Sequence, residues 1–208
     1  MPADSSKRSR IDEFLPIYSV RASYSIRILA PRSVVYQCLL RSDFSEHWLV
    51  RLLMTLRTGK RMPRNPALGD IRRRLQGSGF ILLSEVPDEE LVLGVAGRFW
   101  HPNGGRCLDL DVDGFVDFCR PGYAKAALNF SLVEQSPEST VLSTETRIHC
   151  FDSARWKFRA YWILVAPFSG LMRWAILRQV KDRAETGLTG KHENPGDHGP
   201  LPMPKAQL

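Results

Sequence analysis

Two stretches of two-residue alternation, residues 122–133 and 140–150, flank the turn Ser136-Pro137-Glu138-Ser139 and run directly into a long segment of helical spacing, residues 153–185. This order constrains the fold more than any other feature. A hairpin with one apolar face must bury it, and an apolar helix next in sequence is its nearest partner. In the first strand the even positions are Ala124, Ala126, Leu128, Phe130 and Leu132, and the odd ones include Tyr123, Lys125, Asn129 and Ser131. In the second the even set is Leu142, Thr144, Thr146, Ile148 and Cys150, and the odd set is Ser143, Glu145, Arg147 and His149. Pairing even with even turns one apolar face to the helix and leaves Lys125, Asn129, Glu145 and Arg147 outside as a surface charge ladder. A bulge that shifted the register would instead turn Glu145 and Arg147 inward as a polar anchor.

Ahead of this unit, residues 18–29 alternate Val20, Ala22, Tyr24, Ile26 and Ile28 against Arg21, Ser23, Ser25 and Arg27, as a half-buried strand does. Pro31 then opens a short helix over 32–40. Asp43 and Glu46 start a second, whose apolar residues keep helical spacing to about Arg57. After a Gly-, Pro- and Arg-rich loop at 58–74, residues 80–86 and 91–100 flank Pro87-Asp88-Glu89-Glu90 as a hairpin, and a further strand is expected over 112–118. Asp152 or Ser153 caps the long last helix, with a bend expected near Pro167 to Gly170. The plan is α+β: an antiparallel sheet around a long, kinked C-terminal helix, with two short helices after the first strand. Residues 1–15 read as a flexible lead-in, 16–185 as one domain, and 186–208, rich in Gly and Pro, as a disordered tail.

The 43% hydrophobic and 25% charged composition suits one soluble domain. Met1 to Arg10 is polar and basic with no apolar h-region after it, so no signal peptide is expected, and the most apolar stretch, Tyr161 to Met172, is too short to span a bilayer. Cys38, Cys107, Cys119 and Cys150 form no CxxC pair, which fits reduced thiols in a cytoplasmic protein. The net charge of +7 is uneven: residues 76–152 are acidic, and both flanks are basic. The arginines of the early flank (Arg51, Arg57, Arg61, Arg64, Arg72, Arg73 and Arg74, with Lys60) are scattered through helix and loop rather than gathered on one recognition element, which disfavours nucleic acid. The favoured reading of this basic arc is a solvated loop; the alternative is transient contact with an anionic membrane.

Several segments resemble the START-like, helix-grip superfamily (the SRPBCC group of polyketide cyclase/dehydrase and lipid-transport proteins), and the chain is most similar to its uncharacterised bacterial members. They are Ala30-Pro31-Arg32-Ser33-Val34-Val35-Tyr36, the run from Leu91 to Trp100, that from Gly122 to Phe130, Leu142-Ser143-Thr144-Glu145-Thr146-Arg147-Ile148, and Phe158-Arg159-Ala160-Tyr161-Trp162. The resemblance covers residues 18–184. It implies a curved sheet gripping the last helix, with a hydrophobic cavity between them for a lipid- or polyketide-like molecule, and no particular reaction. The cavity wall it points to is Leu93, Val95, Phe99, Phe115, Leu128, Phe130, Thr144, Thr146, Phe158, Tyr161, Val165 and Phe168.

Motifs for chemistry are sparse. Asp109-Leu110-Asp111-Val112-Asp113-Gly114 matches half a calcium loop, but position twelve is Arg120 rather than the needed Glu. His47, His101, His149, His192 and His198 form no HxxxH pair, and there is no GxSxG elbow. No metal or cofactor is called for. The favoured reading is a carrier of a hydrophobic or amphipathic small molecule. The alternative is a cyclase or dehydrase in the same cavity, with Tyr24, Tyr123, Tyr161, Arg159 and Glu145 as candidate groups. The last helix is apolar around most of its circumference; burial in the sheet's grip explains this, as would a homodimer contact or a lipid-facing patch.

Overall fold

Period-two and period-3.6 segments settle into alternating layers because each must bury one face. The computed structural model describes residues 9–42, 80–98, 100–101, 108–152 and 154–189, with backbone alone for 164, 165, 167, 168, 188 and 189. Its elements are α1 (Ile11–Phe14), β1 (Val20–Ile28), α2 (Arg32–Arg41), β2 (Ile81–Val86), β3 (Glu90–Gly97), α3 (Val112–Val116), β4 (Ala124–Ser136), β5 (Ser139–Cys150) and α4 (Ala154–Thr189). The described strands form one open antiparallel sheet in the order β1-β5-β4-β3-β2, and α4 packs on it, chiefly against β1 and β5, with α2 alongside. The α+β, helix-grip plan is therefore the fold.

The register is the even-with-even one. Ala126 pairs with Ile148, Leu128 with Thr146, Phe130 with Thr144 and Leu132 with Leu142, while Val20, Ala22, Tyr24 and Ile26 continue the same face across β1. Two apolar clusters lie between this face and the helices. One joins Leu91, Leu93, Phe130, Leu132 and Leu142 to Val35, Tyr36 and Leu39 of α2 and to Leu177, Val180 and Ala184 of α4. The other joins Val95, Ala126, Ile148 and Cys150 to Ala154 and Phe158 at the start of α4. Each such side chain fully withdrawn from water contributes roughly 1.5–3 kcal/mol, so this interface dominates the stability.

Two expectations need revision. Residues 112–118 do not extend the sheet; Val112–Val116 is a short helix, because Asp111 caps it, its Oδ1 accepting from the Gly114 N–H at 2.8 Å, and Val112, Phe115 and Phe118 keep the i, i+3 spacing of a helix turn. The lead-in is not frayed where it is described: Ile11 and Leu15 are fully buried against Leu83, Val92, Phe115 and Ala127 on the sheet's outer face. The sheet is thus covered on both sides around β3, every residue of which is buried, whereas the outward residues Arg21, Ser23, Ser25 and Arg27 of β1 are exposed. The last helix runs continuously over Ala154–Thr189. The second short helix, the basic arc of residues 51–74 and the tail from 190 lie outside the described residues.

β1 and β2 are the sheet's edges. Along β1, the Lys181 ammonium of α4 donates to the Arg27 carbonyl at 2.8 Å, and the Glu185 carboxylate accepts from the Leu29 N–H at 2.8 Å. The two side chains also pair with each other at 3.2 Å, one helical turn apart.

Candidate functional site

Between the two apolar clusters the sheet–helix interface turns polar. The register puts Tyr24 beside Thr144, and Ala22 and Leu128 on either side of Thr146, all facing α4. Opposite them, in the stretch of helix between Trp162 and Ile176, stands Arg173, only 9% exposed. Its Nε donates to Thr146 Oγ1 at 3.2 Å, and its Nη1 donates to Ser169 Oγ at 2.7 Å and to the Ser169 carbonyl at 3.3 Å. The guanidinium lies 6.0 Å from the centre of the Tyr24 ring. Among the described residues it has no carboxylate partner, and its Nη2 donates to nothing. Burial, opposed by Tyr24, pushes its pKa below the usual arginine value, yet a guanidinium stays charged at neutral pH. A cation held this way among hydroxyls and apolar side chains is uncompensated, and an anionic or strongly polar oxygen is what would complete it.

Gly170 explains how the helix comes so close. A Cβ there would fall 2.5 Å from the Tyr24 hydroxyl oxygen, so only glycine lets the backbone pass. That hydroxyl has no hydrogen-bond partner among the described residues. Tyr24, Thr146, Ser169 and Arg173 therefore form one polar band across the grip.

Most of the expected wall residues lie on this side, though not as one continuous lining. Leu93 and Phe130, with Leu128 against them, belong to the cluster beside α2; Val95 and Phe158, with Tyr161, belong to the other. Thr144 is buried and donates to the Asn129 carbonyl at 2.8 Å, and Thr146 serves Arg173. Phe115 must be reassigned: it packs with Ile11, Leu15 and Val92 on the opposite face, because α3 covers the outside of the sheet. Phe99 lies outside the described residues, as do the side chains of Val165 and Phe168. Of the groups considered for a cyclase, Tyr24 is in the band and Tyr161 stacks obliquely on Phe158 at 5.9 Å. Tyr123 lies between the guanidinium groups of Arg98 and Arg120, at 4.4 and 5.0 Å; Arg159 is exposed; Glu145 is on the outer face.

The outer polar residues do not form a surface ladder, because α1, α3 and the chain around them cover it. Arg147 is buried and pairs with Glu145 at 2.6 Å and with Asp12 at 2.6 Å, and Arg21 reaches the other Glu145 oxygen at 2.9 Å. Burial disfavours the charged form of Glu145, but hydrogen bonds from Arg21 and Arg147 outweigh it and lower its pKa. Asn129 donates to Glu90 at 2.6 Å and accepts from the Glu145 N–H at 2.8 Å. Lys125 donates to the carbonyls of Phe115 and Val116 at the end of α3, at 3.1 and 2.8 Å. These contacts fasten layers together; of the outer-face polar residues on β5, His149 keeps a buried Nδ1 that has no hydrogen-bond partner among the described residues. Asp111 acts as a helix cap, and among the described residues no cluster of His, Cys, Asp and Glu could hold a metal ion.

No family model and no curated protein matches the chain. Among solved structures it is similar to a conserved protein from Geobacillus kaustophilus (11% identity, 81% of this chain and 97% of that one, TM-score 0.42). A hypothetical protein from Helicobacter pylori is similar over 88% of this chain and 99% of its own, with 11% identity and a TM-score of 0.44. The Zhui aromatase/cyclase from Streptomyces sp. R1128 is 13% identical over 81% of this chain and 95% of its own, with a TM-score of 0.30. At such values the functional reading rests on the chain's own residues.

Proposed function

We propose that the chain binds and carries an amphipathic small molecule of lipid- or polyketide-like character between the sheet and α4. Arg173 is the observation that carries this reading. A structural guanidinium in an apolar interface normally meets a carboxylate; this one meets two hydroxyls and a carbonyl, with Nη2 to spare. An acidic or enolic oxygen of the ligand would take Nη2 and the Tyr24 hydroxyl. Its hydrocarbon part would lie toward Val95, Phe158 and Tyr161. Cyclisation is the weaker reading: Ala22, Tyr24, Leu128, Thr144, Thr146 and residues 169–173 include no Asp, Glu or His, so proton transfer would fall to Tyr24 alone.

The test is ligand-induced thermal stabilisation with a long-chain carboxylic acid and its methyl ester. The acid should raise the melting temperature and the ester should not. Arg173→Met should abolish the acid's effect while leaving the free protein as stable or more so, because replacing an unpaired buried charge by an apolar side chain removes a desolvation penalty. Equal binding of acid and ester, or an undiminished response in Arg173→Met, refutes the role of Arg173.

A further inference from the structure

α4 carries a second apolar face that the grip does not use. Trp156, Ala160, Ile163, Leu171 and Trp174 recur at helical spacing along one side, over ~27 Å of helix at 1.5 Å per residue. Trp156 is 77% exposed, Ile163 72%, Trp174 51% and Leu171 44%. Large apolar side chains gathered on one stripe, rather than scattered singly, mark a contact surface.

The charges beside the stripe identify what it meets. From Ala154 to Lys181 the helix has Arg155, Lys157, Arg159, Arg173, Arg178 and Lys181 and no Asp or Glu. Arg155, Lys157 and Arg159 are exposed, and among the described residues none makes an ion pair. Arg178 lies over the Trp174 ring at 5.8 Å and pairs with Asp182, the first carboxylate of the helix, at 3.5 Å, so the unpaired cations are those of its first turns. A second copy of the chain fits poorly. Antiparallel pairing along the stripe would set residues 155–159 against the 171–178 stretch of the other copy, which offers more arginine and no carboxylate. Indole rings at both ends, aliphatic residues between them and free cations alongside are the chemistry of a helix lying in an anionic lipid surface.

We infer that this face of α4 docks on anionic membranes. The helix lies in the plane of the headgroups, with Trp156, Ile163 and Trp174 inserted and Arg155, Lys157 and Arg159 against lipid phosphate. The same helix that grips the sheet from one side thus meets lipid on the other. This does not depend on the ligand proposed for Arg173.

Co-sedimentation of the full chain with phosphatidylcholine vesicles, with and without phosphatidylglycerol, tests it. Binding should require phosphatidylglycerol and weaken as salt is raised. Trp156→Ser combined with Trp174→Ser should lower it by about tenfold or more, and Arg155→Ser, Lys157→Ser and Arg159→Ser together should weaken it and reduce its salt dependence. All these positions are exposed, so the variants should fold, as far-ultraviolet circular dichroism will show. Ile17→Ser, exposed elsewhere, should change nothing. The inference is overturned by equal binding to neutral vesicles, by no binding to either, by binding unaffected by loss of both tryptophans, or by a dimer in solution that the Trp156 and Trp174 changes dissolve.

Discussion

Leu15→Ala tests whether the first described residues are a structural layer. Leu15 is buried with Ile11 against Leu83, Val92, Phe115 and Ala127, so the substitution removes a filled volume between α1 and the sheet. A buried Leu→Ala change costs ~2–5 kcal/mol, least where the surroundings can collapse into the space. α1 is a single turn of four residues whose surroundings can close in on the space, so the lower part of that range, ~2–3 kcal/mol, is expected. For a chain of this size that corresponds to a fall of ~4–12 °C in melting temperature. The Arg147 bond to the Leu15 carbonyl and its ion pair with Asp12 do not involve the deleted atoms, so the loss should report packing alone. Urea unfolding followed by circular dichroism should show a lower midpoint at unchanged slope, with Ile17→Ala as the exposed control. A Leu15→Ala loss below ~0.5 kcal/mol, in the range of ordinary surface changes, would mean that α1 is not held on the sheet in solution.

Gly170→Ala should fail to give the ~1 kcal/mol that alanine normally brings to a helix interior, because its Cβ would meet the Tyr24 hydroxyl; in a Tyr24→Phe background the same change should be better tolerated, and a double-mutant cycle with no coupling would contradict the close approach. Glu145 has a lower pKa folded than unfolded, so its contribution to stability is complete above the unfolded value of about 4.5 and is lost as pH falls through the folded one. Unfolding measured from pH 7 to 3 should show that acid loss, and Glu145→Gln should flatten it. Burial pushes the Cys150 thiol up to about 11, whereas Cys119 is exposed. Iodoacetamide at pH 7.5 should therefore modify Cys119 in the folded protein and reach Cys150 only on unfolding, as peptide mass spectrometry would record.

The β4–β5 register was legible because a one-residue slip would have buried Lys125, Glu145 and Arg147 in the helix-side core. What covers the other face was not. α1 is four residues long, and Ile11, Phe14 and Leu15 give a single turn of i, i+3, i+4 spacing, too short for a helical period to stand out. Residues 112–118 gave a mixed signal, with apolar residues at 110 and 112 in strand spacing and at 112, 115 and 118 in helix spacing; the Asp111 cap decided between them. Arg173 was missed because one charge within an apolar helix reads as a side chain extending to solvent. The available clue was the pair Thr144 and Thr146 in an otherwise apolar set, which marks where the facing helix must bring something polar.

The Lys181–Glu185 pair has a consequence at the rim of the sheet. An open sheet ends in strands whose outward N–H and C=O groups can template another chain, and β1 is nine residues long, enough to recruit one. α4 leans over that rim and engages a carbonyl at Arg27 and an N–H at Leu29, one acceptor and one donor of the kind an incoming strand must find. Arg21 and Arg27 on the same strand add like charges that a second copy would have to face. The last two turns of the helix thus act as a guard against intermolecular strand addition. Removing that guard would show itself first as aggregation on storage, before any loss of folding could be measured.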